Sequence, residues 1–304
     1  MASLCSRSRA RVTSLVGPFR SGFVAVTGRP NVGKSTLVNA LARNKVAIVS
    51  DKPQTTRRRI SAVVNGDDYQ LVLADLPGFQ RPRDLLTERM QKTVDSSLDD
   101  VDGFLLVLAA DERIGAGDRF VAERVYAAGP PVVVALNKVD RLKPHRIAEQ
   151  IQAAAALGDF HSLHPLSALR GEGLEALEHD LVSLLPAGPR YYDEGEQTDL
   201  PLEARLAELV REQALALTRD EVPHAIEVEV DEIEDAHIRA HLFVETESQK
   251  GILVGKGGSM IKAIGSRARP EIEQLLGREV FLELVVKVRP HWRRDENVLQ
   301  RLGI

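Results

Sequence analysis

One cysteine, Cys5, stands in 304 residues, so no internal disulfide can form. A chain built this way suits a reducing compartment. No run of about 18 apolar residues occurs, and no segment reads as membrane-spanning. No lipidation motif is present, and the triplet GKS occurs once. The first 20 residues contain no acid but carry Arg7, Arg9, Arg11 and Arg20. A disordered basic leader over residues 1–20 is the plainer reading, and an organelle transit peptide is the alternative. His161 and His164 have no cysteine or carboxylate at ligand spacing, so they read as loop or strand-edge residues. Lys143, Pro144 and His145 read as a solvated turn.

Hydrophobic residues make up 43% of the chain and charged residues 28%. That balance suits a soluble chain with a packed core in each of two domains. The net charge of −4 gives no hint of a nucleic-acid partner, but its distribution does. Residues 190–249 hold 5 basic and 17 acidic side chains, whereas residues 250–304 hold 11 basic and 6 acidic. An acidic block followed by a basic one implies two surfaces with different tasks.

What is present centres on Gly28, Arg29, Pro30, Asn31, Val32, Gly33, Lys34 and Ser35, which read GxxxxGKS. An apolar strand-type run, GFVAVT, precedes it, and Thr36 opens a stretch with apolar residues at helical spacing. Strand, glycine loop and helix form the context of a phosphate-binding loop. Glycines let backbone amides turn inward, and the helix N-terminus favours an anion. Lys34 would reach the β- and γ-phosphates, and the Ser35 hydroxyl would bind Mg²⁺.

Residues 45–50 are apolar and β-branched, and residues 51–59 read as a surface loop. Two strands follow with Asn65-Gly66 between them, a hairpin signal. The second ends on Asp75, Leu76, Pro77 and Gly78, or DxxG. Asp75 follows Ser35 by 40 residues. Its carboxylate can hold Mg²⁺ through water, and Gly78 leaves an amide free to approach a γ-phosphate. Strands alternating with helices imply a mainly parallel sheet covered on both faces. A later buried strand delivers Asn137, Lys138, Val139 and Asp140, or NKxD. A carboxylate there accepts from guanine N1–H and its 2-amino group, and it would reject adenine. The Ala168 amide, between Ser167 and Leu169, is a candidate contact to guanine O6. These features define an α/β P-loop G domain over residues 21–187.

Residues 188–200 read as a linker and residues 201–291 as an α+β unit with the order α-β-β-α-GxxG-α-β. Its glycine loop is Gly255, Lys256, Gly257 and Gly258, followed by Ser259 and Lys262. Such a loop lets a nucleic-acid backbone press on the protein backbone. In the 292–304 tail, Trp292 offers a base-stacking face and Arg293 a phosphate contact. The alternative for Trp292 is an edge residue capping the small domain's core.

The order GRPNVGKS, PQTTRRR, DLPG, NKVD, SAL, GKGGSMIKAIGSRAR and VKVRPHWR resembles the Era family of bacterial GTPases. The likeness runs from about Gly22 to Trp292, a G domain followed by a type II KH domain. It implies hydrolysis of GTP with Mg²⁺, binding of the 3′ end of 16S ribosomal RNA, and assistance to 30S subunit maturation. It also implies a monomer, cytoplasmic action with peripheral membrane association, and a link to growth control. Residues 28–36, 75–79, 137–140 and 167–169 would be the nucleotide contacts. Thr56 would be the switch threonine closing on Mg²⁺ with Ser35 and Asp75. Lys34, Thr56 and Gly78 would position the transition state, with no general base assigned. Gly255–Gly258, Ser259, Lys262, Arg267, Trp292 and Arg293 would form the RNA surface. Phe79 stands where Ras-type enzymes place a water-orienting glutamine, which implies slow intrinsic hydrolysis. Asn31 either helps bind K⁺, as in similar GTPases, or caps its loop. DLPG in place of the commoner DTPG is a minor departure.

Overall fold

A computed structural model describes residues 18–52, 54–79 and 82–304. The expectations for residues 1–17 lie outside it. Arg20, expected in the leader, is the first residue of strand β1 (Arg20–Thr27). The first half continues through α1 (Lys34–Ala42), β2 (Ile60–Asn65), β3 (Tyr69–Asp75), α2 (Leu85–Ser96) and β4 (Gly103–Ala109). It ends with α3 (Ala116–Ala128), β5 (Val132–Asn137), α4 (Pro144–Ala155), β6 (Ser162–Pro165) and α5 (Leu174–Leu184). Among the described residues, six strands form one sheet in the order β2-β3-β1-β4-β5-β6, all parallel except β2. Leu37, Leu41, Leu177 and Leu181 place α1 and α5 on one face. Val94, Val121, Val125 and Ala154 place α2, α3 and α4 on the other. Strand order reverses beside β1, and the loops at the strands' C-terminal ends meet there, where a parallel sheet takes its ligand.

Helix α4 corrects the reading of residues 143–145 as a turn. Pro144 occupies the first helical turn, where a missing N–H costs nothing.

The second half contains α6 (Leu202–Leu217), α7 (Val222–Ala225), β7 (Glu227–Glu234), β8 (His237–Val244), α8 (Glu247–Val254), α9 (Ser259–Leu276), β9 (Phe281–Val288) and α10 (Glu296–Arg301). β7 and β8 are antiparallel, and β8 and β9 are parallel. Alternation puts Ile238, Ala240, Leu242 and Val244 on one face, against Leu206 and Val210 of α6 and Ile264, Ala268 and Ile272 of α9. Pro223 lies in the first turn of α7, which takes in His224 and Ala225, and β7 follows at Glu227.

Three further expectations change. Residues 188–200 are a strap rather than a free linker. Val63 N donates to Gln197 O at 2.9 Å, and Asp199 accepts from Ser61 N at 3.0 Å and Ser61 Oγ at 2.6 Å. The strap thereby covers the open edge of β2. The 51–59 loop is not all surface, since Thr56 is 8% exposed and Arg57 2%. The C-terminal tail is packed: Trp292, Val298, Leu299 and Leu302 join Leu86 and Met90 of α2 in one buried cluster.

Ser61 is fully buried, so its two donors depend on the strap. Replacing Asp199 with Ala should cost about 2 kcal/mol and speed amide exchange at Ser61. Unchanged exchange at that amide would mean that the strap does not hold the edge.

Candidate functional site

The loop after β1 is shaped by glycine. Gly33 has φ 98°, and a Cβ there would fall 2.3 Å from Asn137 Nδ2. That amide donates to Val32 O at 3.0 Å. Asn137 Oδ1 accepts from Lys138 N at 2.8 Å and from Ala168 N at 3.0 Å. One asparagine thus ties the phosphate loop to the NKxD and SAL segments. Lys138 Nζ reaches Asn31 O at 2.8 Å and closes the same circle. The cleft it frames has a volume of about 340 Å³ and is lined by Asn31, Gly33, Lys34, Ser35, Thr36, Thr56, Gly78 and Lys138, among others.

Lys34 is buried, with Nζ on Gly28 O at 3.2 Å and Arg29 O at 3.0 Å. Burial lowers its pKa, against the raising effect of Asp75. Ser35 Oγ donates to Asp75 Oδ2 at 2.7 Å and lies 3.2 Å from Thr56 Oγ1. Thr56 Oγ1 donates to the same carboxylate oxygen at 3.4 Å. The three residues expected to hold Mg²⁺ therefore meet at one point. Asp75 Oδ1 is buried with no hydrogen-bond partner among the described residues. Burial raises the Asp75 pKa, against the lowering effect of Lys34. A buried anion short of countercharge beside two hydroxyls is a donor set that fits Mg²⁺.

At the base end, Asp140 hydrogen-bonds Ser167, which holds its pKa below the usual carboxylate range. Arg170 Nε lies 3.8 Å from it. Val139 joins the apolar core beside Leu136, and Leu169 is 75% exposed. Val32, Leu76 and Phe79 are core side chains, and Pro77 is buried beside them. Any nucleotide contact from Leu76 or Phe79 is therefore a backbone contact. Phe79 meets Phe120 edge-on at 6.4 Å and carries no water-binding group.

Any nucleotide contact from Arg29 is likewise a backbone contact. Its side chain turns away from the cleft, with Nε 2.7 Å from Asp118 Oδ1 and Nη2 2.9 Å from Glu112 Oε2. The side chain braces the loop against α3. Asn31 caps by donating to Asp51 O at 2.8 Å.

The GxxG loop joins α8 to α9. A Cβ on Gly255 would sit 2.7 Å from Met260 N, so the turn requires glycine. Gly257 and Gly258 have φ of 59° and 80°, with open space above both. Lys256, Ser259, Lys262 and Arg267 are exposed. Trp292 and Arg293 do not belong to this surface, contrary to the sequence reading. Trp292 is 0% exposed, with Nε1 donating to Ala225 O at 2.9 Å. Arg293 Nη2 is 2.6 Å from Asp84 Oδ2. The clue was the apolar spacing of Val298, Leu299 and Leu302 just beyond them, a helix in need of a partner.

Sequence reasoning also missed the contact between the halves. Arg57 Nη1 donates to Glu227 Oε2 at 2.6 Å and to Ile226 O at 2.7 Å, with both charged side chains 1% exposed. Burial pulls the Arg57 pKa down to about 10, against the raising effect of Glu227, so it stays charged at neutral pH. Arg211 of α6 donates to Thr55 O and to Glu208. Glu212 accepts from Val49 N at 2.8 Å and from Lys45. No sequence signal marked it, since Glu208, Arg211 and Glu212 read as a polar face, yet residues 206–212 of α6 are all buried, charges included. A helix buried all round lies between two bodies.

Because its pKa is raised, ionised Asp75 opposes folding above that pKa, and a neutral isostere removes the penalty. Asp75→Asn should raise the melting temperature of the ligand-free chain and abolish stabilisation by Mg²⁺ with GDP. A lower melting temperature without ligand, or retained Mg²⁺ stabilisation, would contradict this electrostatic account.

Residues 23–138 match a family described as 50S ribosome-binding GTPase, and residues 221–293 match the KH domain. GTPase Era of Mycobacterium sp. (strain JLS) is 46% identical over 295 residues, 94% of this chain and 99% of the relative. GTPase Era of Mycolicibacterium smegmatis is 45% identical over the same shares. The crystal structure of Era in complex with MgGDPNP and nucleotides 1506–1542 of 16S ribosomal RNA superposes with a TM-score of 0.88 at 38% identity, covering 94% of this chain and 99% of that one. A point variant of Aquifex aeolicus Era bound to GDP·AlF4⁻ gives the same TM-score, identity and coverage. With the G-domain and KH elements in one chain, and likeness over nearly its whole length, this protein belongs to the Era family of GTPases.

Proposed function

We propose that this chain is a GTP-switched RNA-binding protein that acts on the 3′ end of 16S ribosomal RNA during maturation of the small ribosomal subunit. The observation that carries this function is the grip on residues 55–57. Thr56 sits on Ser35 and Asp75, while its neighbours Thr55 and Arg57 are held by Arg211 and Glu227 of the RNA-binding half. A loop ordered by a γ-phosphate at one end is thereby fixed to the KH unit at the other. The relative solved with MgGDPNP carries an RNA of the proposed kind. We assign the work to the cytoplasm, with any membrane association peripheral.

In this function Lys34 and the loop amides hold the phosphates, and Asp140 selects guanine. Ser35, Thr56 and Asp75 would hold Mg²⁺, which neutralises charge developing between the β- and γ-phosphates. Phe79 supplies no water-orienting group, so intrinsic hydrolysis is slow. Lys256, Lys262 and Arg267 form no ion pair among the described residues and would meet RNA phosphates around the glycine loop. Gly257 and Gly258 leave room for the RNA backbone.

RNA affinity should differ about fivefold or more between the GDP and GDPNP states, as a coupling of ordinary size gives. Lys256→Glu should weaken RNA binding in both states and leave GTP affinity unchanged. Equal affinity with the two nucleotides would favour a constitutive RNA chaperone.

Asn31 is committed through Nδ2 to Asp51 O, and its other side-chain atom, Oδ1, is the donor a monovalent cation would use. Turnover should therefore be faster in KCl than in NaCl. Equal rates would leave Asn31 with its capping role alone.

A further inference from the structure

We propose that residues 291–304 form an intramolecular sensor that reads both nucleotide-responsive segments at once, a role that presupposes the GTP-switched RNA binding proposed above. Trp292 reads the first segment. The Arg57 guanidinium carbon lies 5.5 Å from the centre of its ring. A cation over an indole face is held by the ring quadrupole, and the contact depends on where the cation sits. Arg57 follows Thr56 directly. Loss of the γ-phosphate that keeps Thr56 on Ser35 and Asp75 moves Arg57 off the indole.

Arg293 reads the second segment. Its partner Asp84 is the N-cap of α2 and accepts from Thr87 N at 3.0 Å. That helix begins seven residues after Gly78, which lines the nucleotide cleft. Arg89 of the same helix donates to Ile304 O at 2.7 Å and Glu296 Oε1 at 3.0 Å. Leu86 and Met90 complete an apolar seat for Leu299 and Leu302. The segment thus touches the start, the middle and the buried face of α2.

The output side is short. The segment leaves β9 directly, and Arg289 N donates to Val244 O at 2.8 Å, so its root is pinned to β8. Helix α9, which opens at the glycine loop, packs on the same sheet. Displacement of residues 291–304 therefore acts on the body that carries the RNA loop.

Trp292 is the single tryptophan, so its emission reports the sensor alone. The full chain is loaded with Mg²⁺ and either GDP or GDPNP, and emission and acrylamide quenching are recorded. Quenching should be weak with GDPNP and stronger with GDP. Arg293→Ala keeps the tryptophan, and Asp84→Asn keeps the cap of α2 while removing its charge. Both should cut the GDPNP-to-GDP ratio of RNA affinities about threefold or more, within the usual range of allosteric couplings, without changing GDP affinity. Identical tryptophan signals in the two states would overturn the sensor. So would variants that keep the full ratio while the wild type shows one. If the wild-type ratio is unity but the tryptophan still responds, the segment senses the nucleotide, but the GTP-switched RNA binding falls and the sensor's proposed output falls with it.

Discussion

A buried ion pair between Arg57 and Glu227 is the contact on which the arrangement of the two halves turns. It joins the loop that carries Thr56 to the first residue of the second sheet. Two charges removed from water repay their desolvation only with good geometry and further hydrogen bonds. Here Arg57 also reaches Ile226 O and His224 O, and Arg211 and Glu208 lie alongside. Yet Arg57 Nε, Arg58 Nε, Arg211 Nε and Nη1, and Arg293 Nε find no hydrogen-bond partner among the described residues. Each such donor costs free energy. These unpaired donors offset part of the stabilisation that the ion pair and its hydrogen bonds give the interface.

The nucleotide cleft has the complementary imbalance. Lys34 is buried and pulled down, and Asp75 is buried and pushed up. Both charges are disfavoured in the ligand-free fold. Phosphate beside the lysine and a divalent cation beside the carboxylate would relieve both together. The same loop residues, 55–57, lie between this cleft and the ionic interface.

Much of this was legible in the sequence because the chemistry of phosphate binding is local. Gly33, Lys34 and Ser35 stand together, Asp75 ends a strand, and Asn137 and Asp140 end another. Period and glycine placement set these positions, and the fold gathers them. The GxxG loop was legible for the same reason. Contacts between distant surfaces were not. Arg57 in a run of three arginines reads as solvated, and only its burial against Glu227 says otherwise. Trp292 among cations reads as a nucleic-acid platform, yet its indole N–H is spent on Ala225 O. Arg29 has the right place for phosphate, but Asp118, 89 residues away, claims it. Pro144 reads as a turn until the first turn of a helix is seen to accept it.

Nucleotide affinity in a Glu227→Gln variant tests the central claim most directly, because Glu227 lies outside the nucleotide cleft. If the ion pair helps hold Thr56 in its closed position, GDPNP affinity should fall about fivefold, while GDP affinity, which needs no closed Thr56, stays at the wild-type value. Equal GDPNP affinities in variant and wild type would contradict the account, as would equal losses for both nucleotides.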